Sequence, residues 1–186
     1  KKVVTSKITT TVQTTTTQQV SIANETAVST TSSGTSAAQA TAAASSSQNQ
    51  SKYEANVANV ASVAGKMDNR VIAAYQQLGF KLVVDPSVNY SGYFDARSRS
   101  ITMKQIDDSV YHELGHFLAF IAGNVDKTAS FQSIFAAEKA NVTAFNKAYV
   151  TQNASEYFAE SVKDYILNNA SLKSTRPQTY AAVQNA

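Results

Sequence analysis

The sequence predicts an α+β domain in which a small sheet lies between two groups of helices. Three observations carry that reading. Apolar residues recur at helical spacing on both sides of a short stretch that alternates like strands. Gly and Pro fall at the ends of these segments, where the chain has to turn. Tyr, Phe, Leu, Ile and Val recur at regular spacing over roughly the last 135 residues, a normal size for one hydrophobic core.

Residues 1–51 are mostly Thr, Ser, Ala and Gln, with runs such as Thr14 to Thr17 and Ser45 to Ser47. Such a segment buries too little apolar surface to offset its ordering entropy, so it is expected to be a linker or stalk. The β-branched residues of Lys2 to Val20 leave an edge strand as the alternative. Residues 52–186 are then the folded domain. Its first helix is expected over Tyr53 to Ala64, with Tyr53, Val57, Val60 and Ala64 on one face. A second is capped by Asp68 or Asn69 and stopped by Gly79. Phe80 to Val84 reads as a strand ended by Asp85-Pro86. Tyr93-Phe94 and Ile101 to Met103 flank a turn and read as a hairpin. Helices follow over Asp108 to Ala122, Ser130 to Ala148 with a break near Asn141, and Ala154 to Leu167. Pro177 is expected to block any continuation beyond Arg176.

Composition excludes several function classes. The formal net charge is +3. Lys1, Lys2 and Lys7 against Glu25 supply +2 of it, which leaves the folded part nearly neutral and without the basic stripe a nucleic-acid surface needs. No cysteine is present, which removes disulfides, thiolate ligands and a Cys nucleophile. The longest apolar run, Phe117 to Ala122, is too short for an integral membrane segment.

The chain has two histidines. They are His112 and His116, four apart, with Glu113 between them. On a helix, positions i and i+4 share a face, so two imidazoles there can hold one Zn²⁺ while Glu113 reaches a nearby water. The bland alternative is a chance pattern on an ordinary helix. The apolar stripe of Val110, Leu114, Phe117 and Ile121 argues against it, because it leaves the imidazoles a flanking face. Gly115 is expected to leave room beside the metal.

A catalytic zinc site has three protein ligands and one open position. With no third histidine, the remaining ligand is a carboxylate: Asp126, Glu138, Glu156, Glu160 or Asp164. Glu156 and Glu160 are spaced i, i+4 on the last strong helix. From there Glu156 can meet the metal and Glu160 can accept the N–H of a ligand histidine. Both can equally be surface carboxylates, with Lys163 as a pairing partner.

From about Asn56 to the C-terminus the chain resembles the anthrax lethal factor-like metallopeptidases, and among them the secreted Pro-Pro endopeptidases. The resemblance is carried by His112 to His116, Phe131 to Ala136, Ser155 to Ser161, Leu172 to Ser174 and Pro177 to Tyr180. It implies a zincin-like fold with H-E-x-x-H on a central helix. It makes Glu156 the third zinc ligand, Glu160 its support and Tyr149 the donor to the oxyanion. It further implies a secreted or cell-surface bacterial endopeptidase acting on protein or peptide substrates. A monomer is expected, and the hairpin around Tyr93 to Met103, which precedes the zinc helix, offers Tyr93 and Phe94 on an edge strand that pairs with extended substrate.

Two departures bear on specificity. Ser155 stands where the Pro-Pro endopeptidases carry an acidic residue, and the segment Asp85 to Asp95 is short and contains no Trp. The zinc chemistry is expected to carry over, with a looser dependence on proline. A catalytically inactive binding or adhesion module on a Ser/Thr-rich stalk is the alternative, although such a module needs neither Glu113 nor Tyr149.

Overall fold

The computed structural model describes residues 56–186. The expected stalk and the boundary proposed for it at residues 51 and 52 lie outside these residues. The described part is a mixed α+β fold: a sheet of four short strands on one side and helices on the other.

The sheet comprises β1 (Val57–Ala58), β2 (Lys81–Val84), β3 (Gly92–Asp95) and β4 (Ser100–Met103), in the order β1-β2-β4-β3. β1 runs antiparallel to β2, β2 parallel to β4, and β4 antiparallel to β3. The hairpin expected from the sequence is the β3–β4 pair, and its return strand β4 inserts beside β2. Leu82, Ile101 and Phe94 are in register and face the helices, as alternation along each strand requires. The first expected helix is corrected: its start lies outside the described residues, Val57 and Ala58 form β1, and among the described residues of that stretch α1 (Val60–Val63) alone is helical. Partners for β1 lie about 25 residues onward in β2, beyond the reach of local periodicity.

Helix α2 (Asn69–Gln77) starts at an Asp68 side chain that accepts the Arg70 N–H, and Gly79 leaves it at φ 73. Helix α3 (Ser109–Ile121) ends at Gly123, whose φ of 75 is the left-handed conformation that favours glycine. Next come α4 (Ala129–Glu138), α5 (Lys147–Val150), α6 (Ala154–Leu167), α7 (Asn169–Thr175) and α8 (Pro177–Gln184). The break near Asn141 separates α4 from α5. Pro177 does stop the preceding helix, yet it also opens α8. At the first position of a helix a missing N–H costs nothing. Glu138, at the end of α4, accepts the N–H groups of Gln178 and Thr179 there, at 3.0 and 2.9 Å.

Helix α3 is buried on most sides, between the sheet and α6. Val110, Leu114 and Phe117 are fully enclosed, while Ile121 at its end is partly exposed. Gly115 serves a purpose other than the one expected. A Cβ there would come within 2.7 Å of both Cα and O of Ala159, so its absence lets the α3 and α6 backbones touch.

Candidate metal centre

Helices α3 and α6 each contribute one turn to a cluster of donor atoms. His112 and His116 share a face of α3, with ring centroids 5.0 Å apart. Asn153 caps α6 by accepting the Glu156 N–H at 2.9 Å, which holds Glu156 in the first turn, opposite the two rings. Glu156 Oε2 lies 3.1 Å from Nε2 of His112 and 3.6 Å from Nε2 of His116. One donor atom from each residue lies within 4.8 Å of the others.

This donor set fits a zinc ion. Tetrahedral ligands held ~2.0–2.1 Å from zinc are roughly 3.3–3.4 Å apart, a spacing that the two nitrogen–oxygen separations bracket. Two imidazoles and one carboxylate match the ligand types of a catalytic site. His112 is buried, whereas His116 and Glu156 are half-buried, so the cluster is open on one side.

The second ring nitrogen of His112, Nδ1, donates to Glu160 Oε2 at 2.9 Å. Lys163 in turn donates to the other oxygen of Glu160 at 3.3 Å. Burial disfavours a charged His112, but hydrogen bonds to Glu156 and Glu160 outweigh it and raise its pKa to about 9. Burial also opposes ionisation of Glu156, yet hydrogen bonds to the two imidazoles hold its carboxyl well below the usual range.

Glu113 is not one of the three clustered donors. Its carboxyl lies against Gly92 of β3, on the sheet side of α3. Burial pushes its pKa up; the charges of His112 and His116 pull it back, and that of Glu156 pushes it further up. Tyr149 on α5 is half-exposed, with its ring centroid 6.3 Å from that of His112. Partial burial, then the charge and hydrogen bond of Glu156, raise its pKa to about 12, so the hydroxyl keeps its proton.

The other candidate carboxylates are engaged elsewhere. Asp126 accepts from the Ser155 hydroxyl at 2.6 Å. Glu138 caps α8, and Asp164 pairs with Arg176. The position of Ser155, one of the two departures, is thus tied to a buried Asp126 on a preceding turn. Tyr93 and Phe94 lie on β3, an edge of the sheet among the described residues, but on opposite faces. The Phe94 ring stacks on His116 at 6.4 Å, while Tyr93 is 58% exposed and packs against Tyr90. Sequence reasoning missed the cap at Asn153 and the seat at Gly92. The first had a local signal, an Asn three residues before a Glu; the second had none.

Residues 96–186 match the family model described as anthrax toxin lethal factor, N- and C-terminal domain. A Pro-Pro endopeptidase of Clostridioides difficile (strain 630) is 41% identical over 78 residues, which is 40% of this chain and 34% of that protein. The chain thus spans about a third of the length of the curated relative it matches. The fold is similar to that of a solved PRO-PRO endopeptidase, PPEP-2 from Paenibacillus alvei. There the TM-score is 0.55 and the identity 20%, over 68% of this chain and 90% of that chain. Among the described residues no helix is long and apolar enough to cross a membrane.

Proposed function

From the match of residues 96–186 to the lethal factor family model and the similarity to Pro-Pro endopeptidases, we propose that the chain is a lethal factor-like, secreted zinc-dependent endopeptidase. The observation that carries the reading is the convergence of His112, His116 and Glu156 beside a separately held Glu113. A binding module needs no carboxyl next to its metal ligands, and an enzyme that hydrolyses peptides does.

His112 and His116 would hold the metal through Nε2, and Glu156 through a carboxylate oxygen. When bound, zinc supplies a Lewis acid that polarises the scissile carbonyl and lowers the pKa of water towards ~7. Glu113 takes the proton that water loses as its oxygen attacks the carbonyl carbon. It then delivers a proton to the amide nitrogen as the C–N bond breaks. A carboxyl whose pKa is raised by burial suits both steps. Tyr149 donates its hydroxyl hydrogen to the carbonyl oxygen as charge builds there, where a preorganised donor counts most. Glu160 holds the His112 ring in place through Nδ1.

The substrate is a protein or peptide bound in extended form along the β3 edge, with looser dependence on proline than in the named relatives. The short segment between β2 and β3, which contains no Trp, supports this last point. Cleavage of a peptide library by the purified protein, abolished by a chelator and restored by zinc, tests the activity. A profile that demands proline on both sides of the cut would contradict the looser specificity.

A further inference from the structure

Glu113 is held by a strand that precedes it by about twenty residues. A Cβ built on Gly92 would lie 2.6 Å from Oε1, 2.7 Å from Cγ and 2.9 Å from Cδ of Glu113. Such separations are far inside van der Waals contact, so an alanine side chain and this carboxyl cannot share the space. The backbone does not explain the glycine. The positive-φ glycines of the described chain are Gly79 and Gly123, and Gly92 is not among them. The three atoms nearest to such a Cβ all belong to the Glu113 side chain.

The ladder around Gly92 gives that approach a direction. Lys104 N–H donates to Ser91 O, and β3 pairs with β4 from Gly92↔Met103 to Asp95↔Ser100. In an antiparallel pair, residues that exchange hydrogen bonds alternate with residues that do not. Ser91, Tyr93 and Asp95 therefore point their main-chain groups at β4, while Gly92 and Phe94 point theirs away from it, at the edge of the sheet among the described residues. The Phe94 amide lies beside the Glu113 carboxyl and favours its ionised form. Glu113 is thus bounded by a bare Cα on one side and an edge amide on the other.

We propose that Gly92 is a positioning residue for Glu113: its missing side chain is the slot in which the carboxyl rests, on the strand that would align the substrate. This rests on the reading of Glu113 as the general base. A base has to lie within hydrogen-bond reach of the proton it takes. A glutamate with three side-chain torsions reaches such a spot by default only if its other positions are closed. The nearest atoms are the end of a flexible side chain, so adding a methyl group at 92 displaces the carboxyl and leaves the fold intact.

The test is Gly92→Ala in the zinc-loaded full chain, with kinetics on a cleaved peptide, zinc analysis, thermal unfolding and a crystal structure. The expected result is equimolar zinc, nearly unchanged KM, kcat lower by about 10²-fold as for an ~1 Å misplacement, and a displaced Glu113 carboxyl. Thermal unfolding of Gly92→Ala in a Glu113→Ala background supplies a readout independent of turnover. Any loss of thermal midpoint caused by Gly92→Ala should vanish there, because the crowding atoms are gone. An unmoved Glu113 in the crystal structure, or kcat within twofold of a parent that cleaves peptides, overturns the inference alone. A zinc-loaded parent that cleaves no peptide removes the reading of Glu113 as a base, and this inference with it.

Discussion

Nδ1 of His112 donates to Glu160 Oε2 at 2.9 Å, which turns Nε2 of the same ring toward Glu156. His116 has a different support, the stacked ring of Phe94. If Glu160 orients a ligand, Glu160→Ala should weaken zinc binding by ~10–100-fold while keeping one zinc per chain at saturation. Competition against a chromogenic chelator measures this, and an unchanged zinc Kd would rule the role out.

Glu156 is expected to be the third ligand. Glu156→Ala and His116→Ala should each lose equimolar zinc in elemental analysis, whereas Asp126→Ala and Asp164→Ala should keep it. Full zinc retention by Glu156→Ala would return the choice to the other carboxylates.

Glu113→Gln should separate binding from turnover. Zinc content and thermal midpoint should stay near those of the parent, and kcat should fall by ~10²–10⁴-fold, the usual loss for a general base. Zinc loss in this variant would instead make Glu113 a ligand.

Tyr149→Phe removes one hydroxyl from a half-exposed ring. If that hydroxyl meets the oxyanion, the variant should lose about 2.7–4 kcal/mol of transition-state stabilisation. KM should barely change, because the charge is absent from the ground state. Lower stability with kcat retained would mean a structural tyrosine.

Glu138 offers a control outside the cluster of metal donors. Its buried carboxylate accepts from two backbone amides of α8 and, at 2.7 Å, from the Thr179 hydroxyl. Hydrogen bonds to a charged group contribute ~1.5–3 kcal/mol each, and their donors would be left unpaired. Glu138→Ala should therefore cost about 3 kcal/mol or more in urea unfolding, with zinc affinity of the remaining folded protein unchanged.

Much of this was legible locally. The limits of α6, the cap at Asp68, the stops at Gly79 and Gly123 and the β3–β4 hairpin all follow from residues within one or two turns of the feature. The spacing of His112, Glu113 and His116 likewise states its geometry once a helix is granted. What was not legible depends on distant neighbours. β1 exists because β2 pairs with it, and helical spacing of Val57 and Val60 concealed it. Five carboxylates competed as third ligand, and no spacing rule distinguishes one aimed at two imidazoles from one aimed at the start of α8. Gly92 read as an ordinary glycine and Gly115 as room beside the metal, since the atoms that exclude a side chain there belong to Glu113 and Ala159.

The contact at Gly115 bears on how the metal is acquired. All three proposed ligands stand on α3 and α6, and main chain against main chain sets the distance between those helices. Main-chain contact leaves no side chain to rearrange, so the gap between imidazoles and carboxylate is machined into the scaffold. Zinc then enters a vice already closed to the correct width and does not have to pull it shut. Its uptake should leave the far-ultraviolet circular dichroism spectrum unchanged, unlike that of small domains whose folding is driven by their metal.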